Sequence, residues 1–200
     1  MIELPRLKIS YSIANAWLNG DKEGAMRMLL GERIEPTPAM QFGTAMHKEW
    51  EEEVKRTQCM PAVFGGQKIL KPKTEQYYKT WLTDQLCVSG VVDLQYETED
   101  GRTILVDYKT GKGNAGAYAG SLQAYVYQLF IPSANTFLFK HYNQYEGTTS
   151  TAIVQLTPET ATEAIVTLRQ VGDEIFEELD NRGYASFDNT DSHNHTQGEN

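Results

Sequence analysis

The spacing of apolar positions along the chain switches between helical and strand-like periods, and turn residues mark the switches. Residues 10–18 and 22–30 read as two short helices around Asn19-Gly20-Asp21, a turn signal. Thr37-Pro38 offers an N-cap and a first-turn proline, which predicts a helix running to about Val54. Steps of four, three and four put Gly43, His47, Trp50 and Val54 on one face of it, so His47 is expected to point inward while Glu49, Glu52 and Glu53 face water. From Lys68 to Leu105 the pattern becomes strand-like. Residues 75–82, 87–97 and 102–108 predict an antiparallel meander, with Glu99-Asp100-Gly101 as one of its turns. The loop from Thr110 to Gly116 leads to a helix over about 118–130, whose Leu122, Tyr125, Val126 and Leu129 form a core stripe. Two further strands, about 136–142 and 151–156, precede Thr157-Pro158-Glu159, the capped start of a helix reaching roughly Leu179. From Asp188 the run DNTDSHNHTQGEN holds no apolar residue and predicts a disordered tail.

Two hundred residues are one domain's worth of chain, and 40% hydrophobic with 22% charged residues is an ordinary globular composition. The expectation is a single α/β (α+β) domain over residues 1–187. No apolar run reaches the roughly 20 residues of a membrane span, and MIELPRLKIS has neither a signal-peptide nor a transit pattern, so a soluble, cytoplasmic protein is expected. Cys59 and Cys87 lie far apart and outside any C-x-x-C spacing, which leaves oxygen or imidazole to hold any metal. The net charge of −9 argues against a polyanionic partner until it is located: all of it lies in residues 146–200, and residues 1–145 are neutral. Lys68, Lys71, Lys73 and Lys79 cluster in that neutral part, with Lys109 and Lys112 further on, so a surface for nucleic acid stays open.

In Ile104-Leu-Val-Asp-Tyr-Lys-Thr110 the alternation of a strand places Asp107 and Lys109 on one face, about 7 Å apart along the chain. An isolated Asp-x-Lys is ordinarily a solvated ion pair. Here Asp107 follows a buried-strand run, and Val88-Ser-Gly-Val-Val-Asp-Leu94 brings Asp93 into a second one, where a carboxylate needs a partner or a metal. Two carboxylates, a neighbouring backbone carbonyl and an inward His47 make a hard donor set suited to Mg²⁺ or Mn²⁺. With Lys109 beside it to orient water and offset developing negative charge, the chemistry is phosphodiester hydrolysis. Gln123 and Tyr127, four residues apart on the next helix, form a polar stripe placed to grip a phosphate or a base, the tyrosine offering a stacking face. Gly111-Lys112-Gly113 lacks the spacing of a P-loop and reads as a loop close to a substrate backbone. His193-Asn194-His195 sits in the polar tail and is not an HNH site.

Gly43-x-x-x-His47, Gly90-Val-Val-Asp93, Val106-Asp107-Tyr-Lys109-Thr110-Gly111 and Gln123-x-x-x-Tyr127, in that order, resemble the RecB-like, CRISPR-adaptation-nuclease-like exonuclease branch of the PD-(D/E)XK nuclease superfamily. The resemblance covers about residues 7–187, with Lys8-Ile-Ser-Tyr-Ser12 and Arg182-Gly-Tyr-Ala-Ser-Phe187 similar to its first and last stretches. It implies an αβββαβ core around a central mixed sheet. It also implies that Asp93, Asp107 and the Tyr108 carbonyl bind the catalytic metal, with His47 as an additional ligand and Lys109 positioning the attacking water. Gln123, Tyr127 and Lys112 are expected to face DNA, while Glu51 and Glu75 are expected to support the site from outside the metal's own ligands. Many relatives carry cysteines that this chain lacks, so no iron–sulfur cluster is expected, and the nearest resemblance is to small cluster-free exonucleases of phage and mitochondrial-maintenance type. The resulting expectation is a metal-dependent deoxyribonuclease, an exonuclease on single-stranded DNA or DNA ends in recombination, repair or phage DNA processing, with a helicase or recombination protein as candidate partner. The alternative is a catalytically silent nucleic-acid-binding or assembly subunit of a recombination or CRISPR-type complex.

Overall fold

The computed structural model describes residues 6–32, 35–184 and 186–190. Short polar residues start the helices. Strand β1 (Leu7–Ser10) runs straight into α1 (Tyr11–Leu18), whose N-cap Ser10 accepts from the Ile13 amide. Asp21 caps α2 (Lys22–Leu29), and Thr37, followed by Pro38, caps α3 (Pro38–Thr57), which ends at Gln58 in the left-handed conformation. Then come β2 (Leu70–Trp81), β3 (Leu86–Glu97), β4 (Thr103–Gly111), α4 (Leu122–Phe130), β5 (Ala134–Asn143), β6 (Thr148–Gln155) and α5 (Pro158–Asn181).

The strands form one mixed sheet of six, in the order β1-β3-β4-β5-β6, with β2 also paired to β3. β3–β4 and β5–β6 are antiparallel, whereas β1–β3 and β4–β5 are parallel. The fold is therefore α/β, a mixed sheet flanked by helices. Three boundaries differ from the sequence expectation. β1 is four residues long and buried on both faces, so it shows no alternation to read. β2 begins at Leu70 rather than Glu75, because Pro72 and its lysine neighbours hide the strand's start. α4 begins at Leu122 rather than near residue 118, since Ser121 is the cap and Ala115–Tyr118 form a separate 3-10 turn.

Two compact units result: Met1–Ile34 with Lys79–Ser89 and Ile165–Asn200, and Glu35–Tyr78 with Gly90–Ala164. In the first, α5 buries one face at Leu168, Val171, Ile175 and Leu179. Gly172 lets α5 lie close to β3, because a Cβ there would meet Leu86 Cδ2 at 2.5 Å. Trp17 Nε1 donates to Glu174 at 2.7 Å, and Arg169 donates to the Leu82 carbonyl at 2.7 Å. Residues 188–190, which composition assigns to the tail, close the outer edge of β1. The Lys8 amide donates to Asn189 Oδ1 at 2.6 Å, Asn189 Nδ2 donates back to the Lys8 carbonyl at 3.0 Å, and Lys79 Nζ donates to the Thr190 carbonyl at 2.6 Å. The rest of the expected tail, 191–200 with its two histidines, lies outside the described residues.

In the second unit an aromatic core joins α3 to the sheet. Phe64 stacks on Tyr108 at 5.4 Å between centroids, and Trp50 meets both rings at 5.0 and 5.1 Å. Val54, Met60, Leu94 and Val106 complete it. Among the described residues no helix is long and apolar enough to cross a membrane.

The edge closure at β1 is open to test. Asn189→Ala removes a side chain that both accepts from and donates to the Lys8 backbone, at a cost of about 1–2 kcal/mol. The expected fall in Tm is roughly 3–6 °C for a chain of this size. An unchanged Tm would mean that β1 is held by its pairing with β3 alone.

Candidate active site

The two acids named from the sequence stand on neighbouring strands. Leu94 pairs with Val106 across β3 and β4, and Asp93 and Asp107 are the next residues along. The Tyr108 amide donates to Asp93 Oδ2 at 2.7 Å, which fixes that carboxylate against β4. His47 reaches it from α3, with Nδ1 3.5 Å from the same oxygen. The spacing Gly43-x-x-x-His47 has a physical basis: a Cβ at residue 43 would lie 2.9 Å from Thr110 Oγ1, so only glycine lets α3 cross β4 this closely. One turn further on, the imidazole meets Asp93, flanked by Trp50 and Tyr108 at 5.8 and 5.9 Å.

Asp107, 3% exposed, belongs to a second network. Gln123 Nε2 donates to Asp107 Oδ1 at 2.6 Å and to the Tyr127 hydroxyl at 3.2 Å, while Gln123 Oε1 accepts from Lys109 Nζ at 2.9 Å. The ammonium also pairs with Asp107 Oδ2 at 2.7 Å, a buried oxygen with no other partner among the described residues. Gly90, at the other end of its motif from Asp93, makes room for these groups. A Cβ there would meet Phe130 Cε2 at 3.1 Å and Tyr127 Cε1 at 3.3 Å.

The model of the PD-(D/E)XK nuclease superfamily matches residues 3–196. The chain belongs to the PD-(D/E)XK nuclease superfamily. Among curated proteins none matches this sequence. Solved structures with a similar fold include SSO0001, at 13% identity and TM-score 0.57, covering 84% of this chain and 76% of that one. LHK-Exo, an alkaline exonuclease from Laribacter hongkongensis solved in complex with dAMP, is 12% identical with TM-score 0.51, covering 88% of this chain and 93% of its own. At these identities the likeness is one of fold.

In this nuclease-superfamily chain a third acid completes a donor set. Donor atoms of His47, Glu75 and Asp93 all lie within 4.8 Å of one another. Glu75 sits on β2 with φ at +49°, in the left-handed region, an irregularity that gives its side chain a direction regular pleating does not. Two carboxylates and an imidazole, with the Asp107 carboxylate on the neighbouring strand, fit a hard divalent cation. The electrostatics agree with that fit. Burial, reinforced by the charges of Asp107 and Glu75, holds Asp93 well above the usual carboxylate range. Loss of solvent and the Glu51 charge push Glu75 up to about 7. Burial lowers His47, against the pull of Asp107, and so favours the neutral, ligating imidazole. At Lys109 burial opposes the charged form, but the Asp107 carboxylate outweighs it and raises the lysine above its ordinary value.

The structure brings His47 to Asp93, and Lys109, Gln123 and Tyr127 to Asp107. Tyr127 stands differently from its expected part. It is 7% exposed, with its ring against Phe130 and Phe137 at 5.7 Å each, so its face is covered and its hydroxyl serves Gln123. The i, i+4 spacing placed it correctly beside Gln123, but periodicity does not tell which shoulder of a helix is sealed by neighbouring strands. Glu51 accepts from Thr74 at 3.4 Å and pairs with Lys55, and its charge acts on Glu75. Lys112 is exposed on the loop after β4. The expected basic cluster is partly neutralised, since Lys71 pairs with Glu97 at 2.7 Å and Lys79 holds a carbonyl. Glu75, expected outside the metal's own ligands, stands among the donors instead, and its left-handed φ inside a strand leaves no trace in the hydrophobic pattern.

Protons and a cation compete for this donor set, since Asp93 and Glu75 must be ionised to ligate. With Glu75 titrating at about 7, its ionised fraction falls roughly tenfold between pH 8 and pH 6. Divalent-ion affinity measured calorimetrically should fall by about that factor or more over the same interval. A pH-independent affinity would exclude these carboxylates as ligands.

Proposed function

We propose that the chain is a Mg²⁺- or Mn²⁺-dependent deoxyribonuclease, a cytoplasmic exonuclease hydrolysing single-stranded DNA or DNA ends in recombination, repair or phage DNA processing. The observation that carries this reading is the Lys109 ammonium, held between Asp107 and Gln123 at 2.7 and 2.9 Å, next to the His47–Asp93 pair. That is a donor set fit for a cation and a fixed positive charge side by side, an arrangement suited to phosphodiester hydrolysis.

In this reading His47, Asp93 and Asp107, with the Tyr108 carbonyl and Glu75, hold the metal. A divalent ion bound there supplies Lewis acidity to the scissile phosphate. Lys109 donates to the attacking water, turning a lone pair toward phosphorus, and offsets the negative charge that builds on the phosphate as one P–O bond forms and another breaks. Gln123 holds Asp107 and Lys109 in register through its two ends, and Tyr127 fixes the amide. Lys112, on the loop leaving β4, is positioned for a backbone phosphate of the substrate. A partner helicase or recombination protein is compatible with a domain of this size acting at strand ends. LHK-Exo, alike in fold, has been solved with dAMP, which makes deoxynucleoside monophosphates the first products to look for.

The test is degradation of end-labelled linear and circular DNA, single-stranded and duplex, with Mg²⁺, Mn²⁺ or EDTA. Metal-dependent loss of linear but not circular DNA is expected. Lys109→Ala should lower the rate by at least about 100-fold while leaving DNA binding in place. Asp107→Ala should lose metal affinity as well as activity. An unchanged rate in either variant would sink the mechanism, and no metal-dependent loss by folded wild type would favour the silent DNA-binding subunit.

A further inference from the structure

We propose that Tyr145 and Lys112 form a stacking step at the rim of the site, on which a base of single-stranded DNA rests as the strand reaches Lys109. The inference rests on the nuclease reading and names a contact that the site's motifs do not include. Tyr145 is 62% exposed, which puts most of an aromatic ring in water. Lys112 Nζ lies 5.2 Å from its centroid.

Strand register ties this pair to the chemistry. Lys109 on β4 pairs with His141 on β5, and Gly111 pairs with Asn143, so Tyr145 follows two residues after the end of the same strand pair. At about 3.3 Å per residue, it stands within roughly 13 Å of the Lys109 row. The two loops are stitched to each other. Asn143, 5% exposed, donates from Nδ2 to the Gly113 carbonyl at 3.3 Å and accepts at Oδ1 from the amides of Tyr145 and Glu146 at 3.0 and 3.2 Å. The Ala115 amide donates to Ser150 Oγ at 2.8 Å. The ring is therefore carried on a braced turn, and ordering it on binding costs little.

Gly111 and Gly113, on either side of Lys112, have φ of +128° and +93°, and a Cβ at either would meet nothing within 4 Å. The loop leaves open space where a sugar–phosphate backbone can approach. An exposed aromatic face, an ammonium and an unobstructed glycine backbone within one braced rim match a nucleotide with an unpaired base, read without regard to sequence. Interior bases of a duplex are stacked on one another and offer no free face, so the step favours single strands and strand ends.

The experiment is fluorescence anisotropy of a labelled oligothymidylate in EDTA, with the full chain, together with hydrolysis kinetics in Mg²⁺ or Mn²⁺. Tyr145→Ala should weaken single-strand Kd by roughly 10-fold and raise KM by a similar factor with kcat kept, while Tyr145→Trp stays near wild type. Affinity for circular duplex, which has no ends, should not change. Lys112→Ala should reduce the salt slope by about one. Because Tyr145 is exposed, loss of folding is not expected, and a melting curve checks it. Unchanged Kd and KM in Tyr145→Ala protein that still degrades DNA would overturn the stacking step and leave the nuclease reading standing. A wild type that neither binds nor degrades DNA would overturn both.

Discussion

Two carboxylates on adjacent strands, Asp93 and Asp107, are withdrawn from water side by side, and that is the constraint around which the second unit is organised. Asp93 cannot carry its charge there without compensation, since burial and the charges of Asp107 and Glu75 favour its protonated form. The fold supplies compensation in unlike portions. Asp93 receives a backbone amide and faces an imidazole, whereas Asp107 receives an ammonium and a side-chain amide. Asp107 is the better neutralised of the two. Asp93, with Glu75 and His47 beside it, belongs to a donor set that fits a divalent cation.

The glycines of the motifs are part of the same design. Gly43 and Gly90 carry no chemistry, yet each marks a place where a side chain would displace part of the site: Thr110 Oγ1 in one case, the rings of Phe130 and Tyr127 in the other. The spacing between each glycine and its functional partner is a distance from a close crossing to the group that the crossing positions. Burial of Trp50, Phe64 and Tyr108 then keeps α3, and His47 with it, from sliding along the sheet.

Much of this was legible in the sequence because it depends on period. The 3.6-residue repeat along α3 put His47 on the Trp50 and Val54 face, and the alternation in β4 put Asp107 and Lys109 together. What was not legible depends on single backbone irregularities or on contacts far apart in sequence. β1 lacks alternation because both its faces are covered. Glu75 joins the donors through one left-handed residue inside a strand, and hydrophobic pattern carries no record of that. Asn189, in a run with no apolar residue, holds an edge strand by hydrogen bonds alone, which composition cannot weigh. The covered face of Tyr127 comes from β5, a strand whose partner in the sheet the local pattern does not name.

The amide of Gln123 spans a negative and a positive group and can be oriented in one way only, NH₂ toward Asp107 and oxygen toward Lys109. A neutral group with a donor and an acceptor is what that gap admits. Glutamate has the same length but could not donate to Asp107 in its charged form, and it would set a third negative charge against a single ammonium. The deamidated form of residue 123 is therefore a different electrostatic object with nearly the same shape. Its burial keeps water from the amide on which that difference depends.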